Sequence, residues 1–197
     1  GFSCMGYEIA GGMGVAMADP DADVYIMVGD GSYLMMNTEI VTMVQEGIKA
    51  VIVLIDNHGF ASIGGLSKSV GSDGFGTKYR YRTDSDHLDG ETLPVDFAQN
   101  CESLGAHVIR ANDRESFMNA LQEAKQITNK PVCIVTETDR RQRVPGYESW
   151  WDVPVAEDSN QENEIDAKTQ EEAEIMDSSI GAQIRILQLQ KKLQIFF

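Results

Sequence analysis

Val24-Tyr25-Ile26-Met27-Val28-Gly29-Asp30-Gly31-Ser32 and, one helical stretch later, Ala50-Val51-Ile52-Val53-Leu54-Ile55-Asp56-Asn57-His58-Gly59 decide the fold of this chain. Each begins as an unbroken apolar run and stops abruptly on small, oxygen-bearing residues. Continuous runs of this length, rich in Val and Ile, read as strands buried on both faces, the pattern of a parallel sheet. Between them Ile40, Val41, Met43, Val44 and Ile48 recur at helical spacing, and Gly47 falls where that helix should end. A strand, a helix and a second parallel strand form one right-handed crossover.

The same alternation extends in both directions. From Gly6 to Met17 small and apolar residues fit a helix packed closely on a sheet, ended by Asp19-Pro20. Helices over 95–104 and 114–127 and strands over 107–111 and 131–137 follow. The expected fold class is therefore α/β, a doubly wound parallel sheet with helices on both faces. Residues 59–94, rich in Gly, Ser, Asp and Tyr and without a clear period, read as a long loop region of functional character.

Composition narrows the class of partner. The chain has 197 residues, 42% hydrophobic and 24% charged, with a net charge of −15. That charge argues against nucleic acid or an anionic membrane surface. It is concentrated: from Glu157 to Asp177 nine acidic residues stand against Lys168 alone. We expect one domain over 1–157 and an acidic, disordered tail over 158–197, with a short helix in 180–197. Gly1 is not an initiator, and the sequence reads as part of a longer chain. No apolar run reaches the roughly 20 residues of a membrane span, and no secretory signal is evident, so a cytoplasmic setting is expected. Cys4, Cys101 and Cys133 are odd in number and far apart. They indicate neither a zinc site nor a disulfide framework, and read as small buried apolar residues.

In a sheet of this kind ligands gather beyond the carboxyl ends of the strands. Two such ends carry Asp30 and Asn57, and the crossover brings them side by side. Both offer oxygen and neither is a soft donor, which selects a hard cation such as Mg²⁺. Gly59 lets the backbone turn its carbonyl toward the same point. One carboxylate, one amide oxygen and one carbonyl leave room in an octahedron for phosphate oxygens and water. Ser32 and the amides after Gly31 open a helix, a ready place for phosphate, and Gly29 and Gly31 allow its close approach. A lone G-D-G is a common turn; the flanking strands and the Asn at the next strand end make the metal–diphosphate reading. No G-x-x-x-x-G-K-[ST] loop and no G-x-G-x-x-G follows a strand.

Gly29-Asp30-Gly31-Ser32 followed by Asn57 resembles the signature of thiamine diphosphate (ThDP) enzymes. The resemblance implies the ThDP-binding fold, with Mg²⁺ held by Asp30, Asn57 and the Gly59 carbonyl, and the diphosphate beside Gly29, Gly31 and Ser32. Upstream, Ser3-Cys4-Met5-Gly6 is similar to the family segment that props the cofactor in its bent form, which implies cofactor contacts for Ser3, Met5 and Gly6. Three further stretches (1–12, 56–66 and 75–82), with Gly146-Tyr147-Glu148-Ser149-Trp150-Trp151, are similar to a hydrolytic branch of the family acting on a cyclic, inositol-derived dione. That likeness implies a small polyol-derived dione as substrate; His58, Lys78, Arg80 and Arg82, in the loop region near the cofactor, are candidates to meet it, the alternative for each being an exposed solvated charge or a loop-packing residue. It implies too a homo-oligomer in which the activating glutamate lies on a pyrimidine-binding domain of a partner subunit, so no catalytic residue is assigned here. The metal signature alone does not separate a hydrolase from an acetolactate synthase-like carboligase, a 2-oxoacid decarboxylase or a non-catalytic cofactor-binding module.

Overall fold

The computed structural model describes residues 4–74, 76–140, 165–166 and 169–170. Ser3, the stretch around Trp150-Trp151 and the helix expected within 180–197 lie outside the described residues. So does the acidic tail, apart from four helical positions in which the Thr169 hydroxyl donates to the Ile165 carbonyl at 3.0 Å.

The chain divides into two compact units. The first, residues 1–61 and 76–145, contains helix α1 (Tyr7–Ala18), strand β1 (Tyr25–Gly29), helices α2 (Asp30–Met35) and α3 (Glu39–Glu46), and strand β2 (Val51–Asp56). After helix α4 (Ala61–Ser69) it resumes with α5 (Phe97–Ser103), β3 (His107–Arg110), α6 (Arg114–Gln126) and β4 (Val132–Glu137). The second unit, residues 62–75 and 146–197, contributes to the described structure most of α4 and the four helical tail positions.

All four strands are parallel, in the order β1-β2-β4-β3. The expected α/β architecture is present, and the register sets Gly29 beside Ile55, so the two strand ends finish level. Two apolar clusters sandwich the sheet. On one face Ile26, Val28, Ile52, Leu54, Cys133 and Val135 meet Ile9, Tyr33, Ile40, Met43, Phe97 and Cys101 from the helices. On the other, Val51, Val53, Val132 and Ile134 meet Ala120 and Ala124 of α6. Side chains such as Leu54 and Ile52, fully buried, each contribute about 2–3 kcal/mol. At Gly12 a Cβ would strike the Ile26 side chain, which is why α1 can lie so close to β1. Gly47 closes α3 in the left-handed region at φ 66°, its N–H donating to the Met43 and Val44 carbonyls. The helix α6 is entered through a reciprocal cap, in which Asp113 accepts from the Ser116 N–H and the Ser116 hydroxyl accepts from the Asp113 N–H.

Three sequence expectations are corrected. The apolar run of β1 predicted burial on both faces, but Tyr25 is 42% and Met27 59% exposed while Ile26 and Val28 are buried. The reason is topological: β1 is an edge strand, and α6, on that side of the sheet, packs over β3 and β4. Met27→Gln should therefore change the unfolding free energy measured by chemical denaturation by less than about 0.5 kcal/mol, the usual range for an exposed site. A loss several times larger would show that this face is covered. The second correction concerns 59–94, which is not wholly loop. Ala61–Ser69 is helical, its period diluted by Gly64 and Gly65 and by three serines. The third concerns the cysteines: Cys101 and Cys133 are buried as expected, whereas Cys4, ahead of α1 and outside the sheet's two clusters, is exposed.

Candidate functional site

The site grows from the ends of β1 and β2. At the first, the chain passes from Gly29 in extended conformation straight into α2, whose first residue is Asp30. The Asp30 carboxylate is fully buried, and three backbone amides donate to it. Oδ1 accepts from Gly31 N at 2.7 Å, and Oδ2 from Asn57 N at 3.1 Å and Gly59 N at 3.0 Å. The two strand ends inferred to be neighbours are thus joined directly through one side chain.

The second end is a tight turn. The Asp56 Oδ1 accepts from the His58 backbone N–H at 2.9 Å, an Asx-type closure, and also faces His58 Nδ1 at 3.1 Å. The turn places His58 at φ 59°, in the left-handed region. His58 Nε2 lies 2.8 Å from the Leu93 carbonyl, which can only accept, so that nitrogen carries a hydrogen. Gly59 follows at φ 154°, where a Cβ would collide with the Thr77 carbonyl oxygen, and Gly59 bridges Lys78 in antiparallel fashion. The collision, more than backbone freedom, requires glycine there. At Gly31 a Cβ would lie 2.5 Å from the Phe60 ring, whereas at Gly29 the equivalent space is open.

Beneath the turn His58, Phe60, Tyr79 and Phe97 pack edge to face. Two buried polar atoms here have no hydrogen-bond partner: Asn57 Oδ1 and Tyr79 Oη. Orphaned buried acceptors are uncommon and point to a missing partner. Burial pushes the Asp30 carboxyl up to about 6, the neighbouring Asp56 carboxylate adds to the rise, and the Gly59 and Gly31 amides oppose it. Burial likewise raises the Tyr79 hydroxyl to about 12, helped by Asp30 and Asp56. The arrangement is a buried acidic cluster whose unpartnered atoms are oxygens.

The Asp30 shift carries a stability consequence. Its folded value lies above the ordinary 3.8, so the folded state holds this proton more tightly than the unfolded state. The contribution is fully present below about pH 4 and is lost as pH rises through about 6. Without added cation, wild type should lose on the order of 2–3 kcal/mol relative to Asp30→Asn between about pH 4 and pH 7. Urea titrations of both proteins across that range check it; parallel curves would contradict the assignment.

Other residues singled out from sequence fall as follows. Ser32 is buried in the first turn of α2. Gly6, at φ 88°, caps α1, and a Cβ on it would lie 3.1 Å from Met35 Cβ, at the end of α2 remote from Asp30. Met5 is exposed. His58, expected to meet a substrate, is buried with both ring nitrogens engaged, and serves instead to fasten the turn. Arg80 Nη1 donates to the Asp89 carbonyl, and Arg82 Nη1 to Asp86, both within an exposed segment. Among the described residues no cluster of three or more His, Cys, Asp or Glu side chains is placed to hold a metal. None of their helices is long and apolar enough to cross a membrane. Sequence reading overlooked the part Asp56 plays in closing the turn. An Asp two residues before His58 at a strand end was the available signal.

A parallel α/β sheet with a buried carboxylate and an unpartnered amide oxygen at adjacent strand ends defines a strand-end ligand-binding domain. Residues 1–136 match the model of the thiamine pyrophosphate enzyme C-terminal TPP binding domain, and the chain belongs to that family. It is 42% identical over 169 residues to a 3D-(3,5/4)-trihydroxycyclohexane-1,2-dione hydrolase of Clostridium botulinum (strain Alaska E43 / Type E3). It is 41% identical over 164 residues to the hydrolase 2 of that name from Bacillus cereus. Each match takes in 83% of this chain and 25% of the relative, so the chain spans about a quarter of the length of the curated relatives it matches. Among solved structures, a thiamine diphosphate-dependent 4-hydroxybenzoylformate decarboxylase of Rhodococcus jostii RHA1 shares the fold, with TM-score 0.54 and 24% identity. That likeness takes in 68% of this chain and 23% of the decarboxylase.

Proposed function

We propose that this chain is the diphosphate-binding part of a ThDP- and Mg²⁺-dependent hydrolase that opens the ring of 3D-(3,5/4)-trihydroxycyclohexane-1,2-dione by cleaving a C–C bond. The observation that carries the reading of activity is the identity of 41–42% to relatives bearing that name. The observation that supports the metal is Asn57 Oδ1, buried and without a partner, on a residue whose backbone N–H donates to the Asp30 carboxylate. A hard cation would complete it, and the set of donors, all oxygen, suits Mg²⁺.

In this reading Asp30, Asn57 and the Gly59 carbonyl hold Mg²⁺. The open side of Gly29, with Gly31, Ser32 and the first amides of α2, receives the diphosphate. Ser3, Met5 and Gly6 take the thiamine end. When bound, ThDP supplies an electron sink for the carbon freed by C–C cleavage. The residues of this chain bind and orient: Asp56 and His58 hold the turn that presents Asn57, and the aromatic cluster below it keeps water from the buried carboxylate. The activating glutamate comes from a pyrimidine-binding domain of a partner subunit in a homo-oligomer of the cytoplasm.

Assay of the full-length protein on the cyclic dione and on pyruvate, side by side, tests the reading. Ring opening should proceed with efficient turnover while pyruvate is neither decarboxylated nor condensed at a comparable rate. A clear preference for pyruvate would move the chain to the carboligase branch.

A further inference from the structure

Cys101 on α5 and Cys133 on β4 are far apart in sequence, yet their sulfurs lie 2.8 Å apart, both fully buried. They are part of a directed chain of hydrogen bonds. Cys101 S–H donates to Tyr33 Oη at 3.2 Å, and Tyr33 O–H donates to Asn100 Oδ1 at 2.6 Å, which also accepts from Asn37 Nδ2 at 3.0 Å. With the Cys101 hydrogen so committed, Cys133 S–H is the donor between the two sulfurs. We infer that Cys101 and Cys133 form a dithiol modification site, which small hydroperoxides convert to an intramolecular disulfide.

The separation is roughly 0.8 Å beyond a disulfide bond of about 2.05 Å. The pair is also chemically asymmetric. The hydrogen bond from Cys133 is the largest influence lowering the Cys101 thiol. Cys133 is raised, first by the same contact and then by burial. Cys101 is therefore the nucleophile, since the thiolate is the reactive form. Its sulfur attacks one oxygen of hydrogen peroxide, the O–O bond breaks, and the leaving hydroxide takes up a proton to become water. The Cys101 sulfenic acid is then attacked by the Cys133 sulfur, which loses its proton as the S–O bond breaks and a second water leaves. Two thiols are oxidised to one disulfide and one peroxide is reduced to two waters. Burial slows access to the rate of local opening, and excludes bulky oxidants. Tyr33 stands in α2, the helix that begins at Asp30, so oxidation removes one hydrogen bond from the element that carries the buried carboxylate.

The test treats the native full-length protein with hydrogen peroxide, unfolds and alkylates it, digests it with trypsin, and analyses the peptides by mass spectrometry. Cleavage at Arg110 and Lys125 puts the two cysteines on separate peptides. The expected product is a Cys101–Cys133 linked pair, lighter by two hydrogens than the sum of the free peptides and released by dithiothreitol. In Cys133→Ala the linked pair should be absent, and Cys101, without the Cys133 S–H to lower it, should react more slowly and stop at sulfenic acid, captured by dimedone. Recovery of both cysteines fully alkylated, under conditions that oxidise the exposed Cys4, would overturn the inference. A second arm needs no variant: the link should be specific in native protein and give way to mixtures including Cys4 in urea. The same mixture in both states would also overturn it.

Discussion

Asp30→Ala should abolish the joint binding of ThDP and Mg²⁺ and destabilise the domain by more than about 3 kcal/mol. The stability loss follows from counting donors. The carboxylate accepts from the amides of Gly31, Asn57 and Gly59, and all three would be left without a partner in a buried place. Each orphaned amide costs about 1–3 kcal/mol. The binding loss follows from charge, because Asp30 is the sole formal negative group in the proposed ligand set of Asp30, Asn57 and the Gly59 carbonyl. Asp30→Asn keeps one acceptor and the volume, so it should recover part of the stability and little of the binding. Calorimetric titration of the full-length variants, with urea denaturation alongside, separates the two effects. Unchanged ThDP affinity in Asp30→Ala would remove the metal assignment.

Gly59→Ala comes next in size. The new methyl would meet the Thr77 carbonyl oxygen, a backbone atom that has no rotamer by which to retreat, and φ 154° adds strain for any L side chain. Overpacking of this kind costs about 2–3 kcal/mol. Relief requires Gly59 or the 77–78 segment to shift, which lengthens the Gly59 N–H bond to Asp30 Oδ2 and disturbs the bridge to Lys78. We expect a lower urea midpoint together with weaker Mg²⁺ binding. A variant with wild-type midpoint would show that the loop is looser than its packing indicates.

How far the sequence carries such a site is seen residue by residue. The apolar runs of β1 and β2 were legible as strands of a parallel sheet from their length and their Val and Ile content. The pairing of Asp30 with the Asn57 turn was legible too, since a crossover unit leaves no other place for those ends. The open face of β1 was not. Tyr25 and Met27 are as apolar as Ile26 and Val28, and composition does not record whether a helix lies on top. The helix α4 was hidden by its glycines and serines. Contacts set by tertiary packing were beyond reach for a different reason: the meeting of Cys101 with Cys133, and of His58 with the Leu93 carbonyl, depends on α5 and the 79–95 segment folding back over β2 and β4. No spacing rule joins residues on elements so placed. His58 shows the same limit, since a polar residue in a loop beside a ligand site reads as a contact until its partners are seen.

The most direct test of the proposed site is a crystal structure of the full-length protein with ThDP and Mg²⁺. We expect the metal bound to an Asp30 carboxylate oxygen, Asn57 Oδ1 and the Gly59 carbonyl at about 2.0–2.1 Å, with diphosphate oxygens and water completing the shell. A metal held elsewhere, or Asn57 Oδ1 turned away from it, would contradict the account.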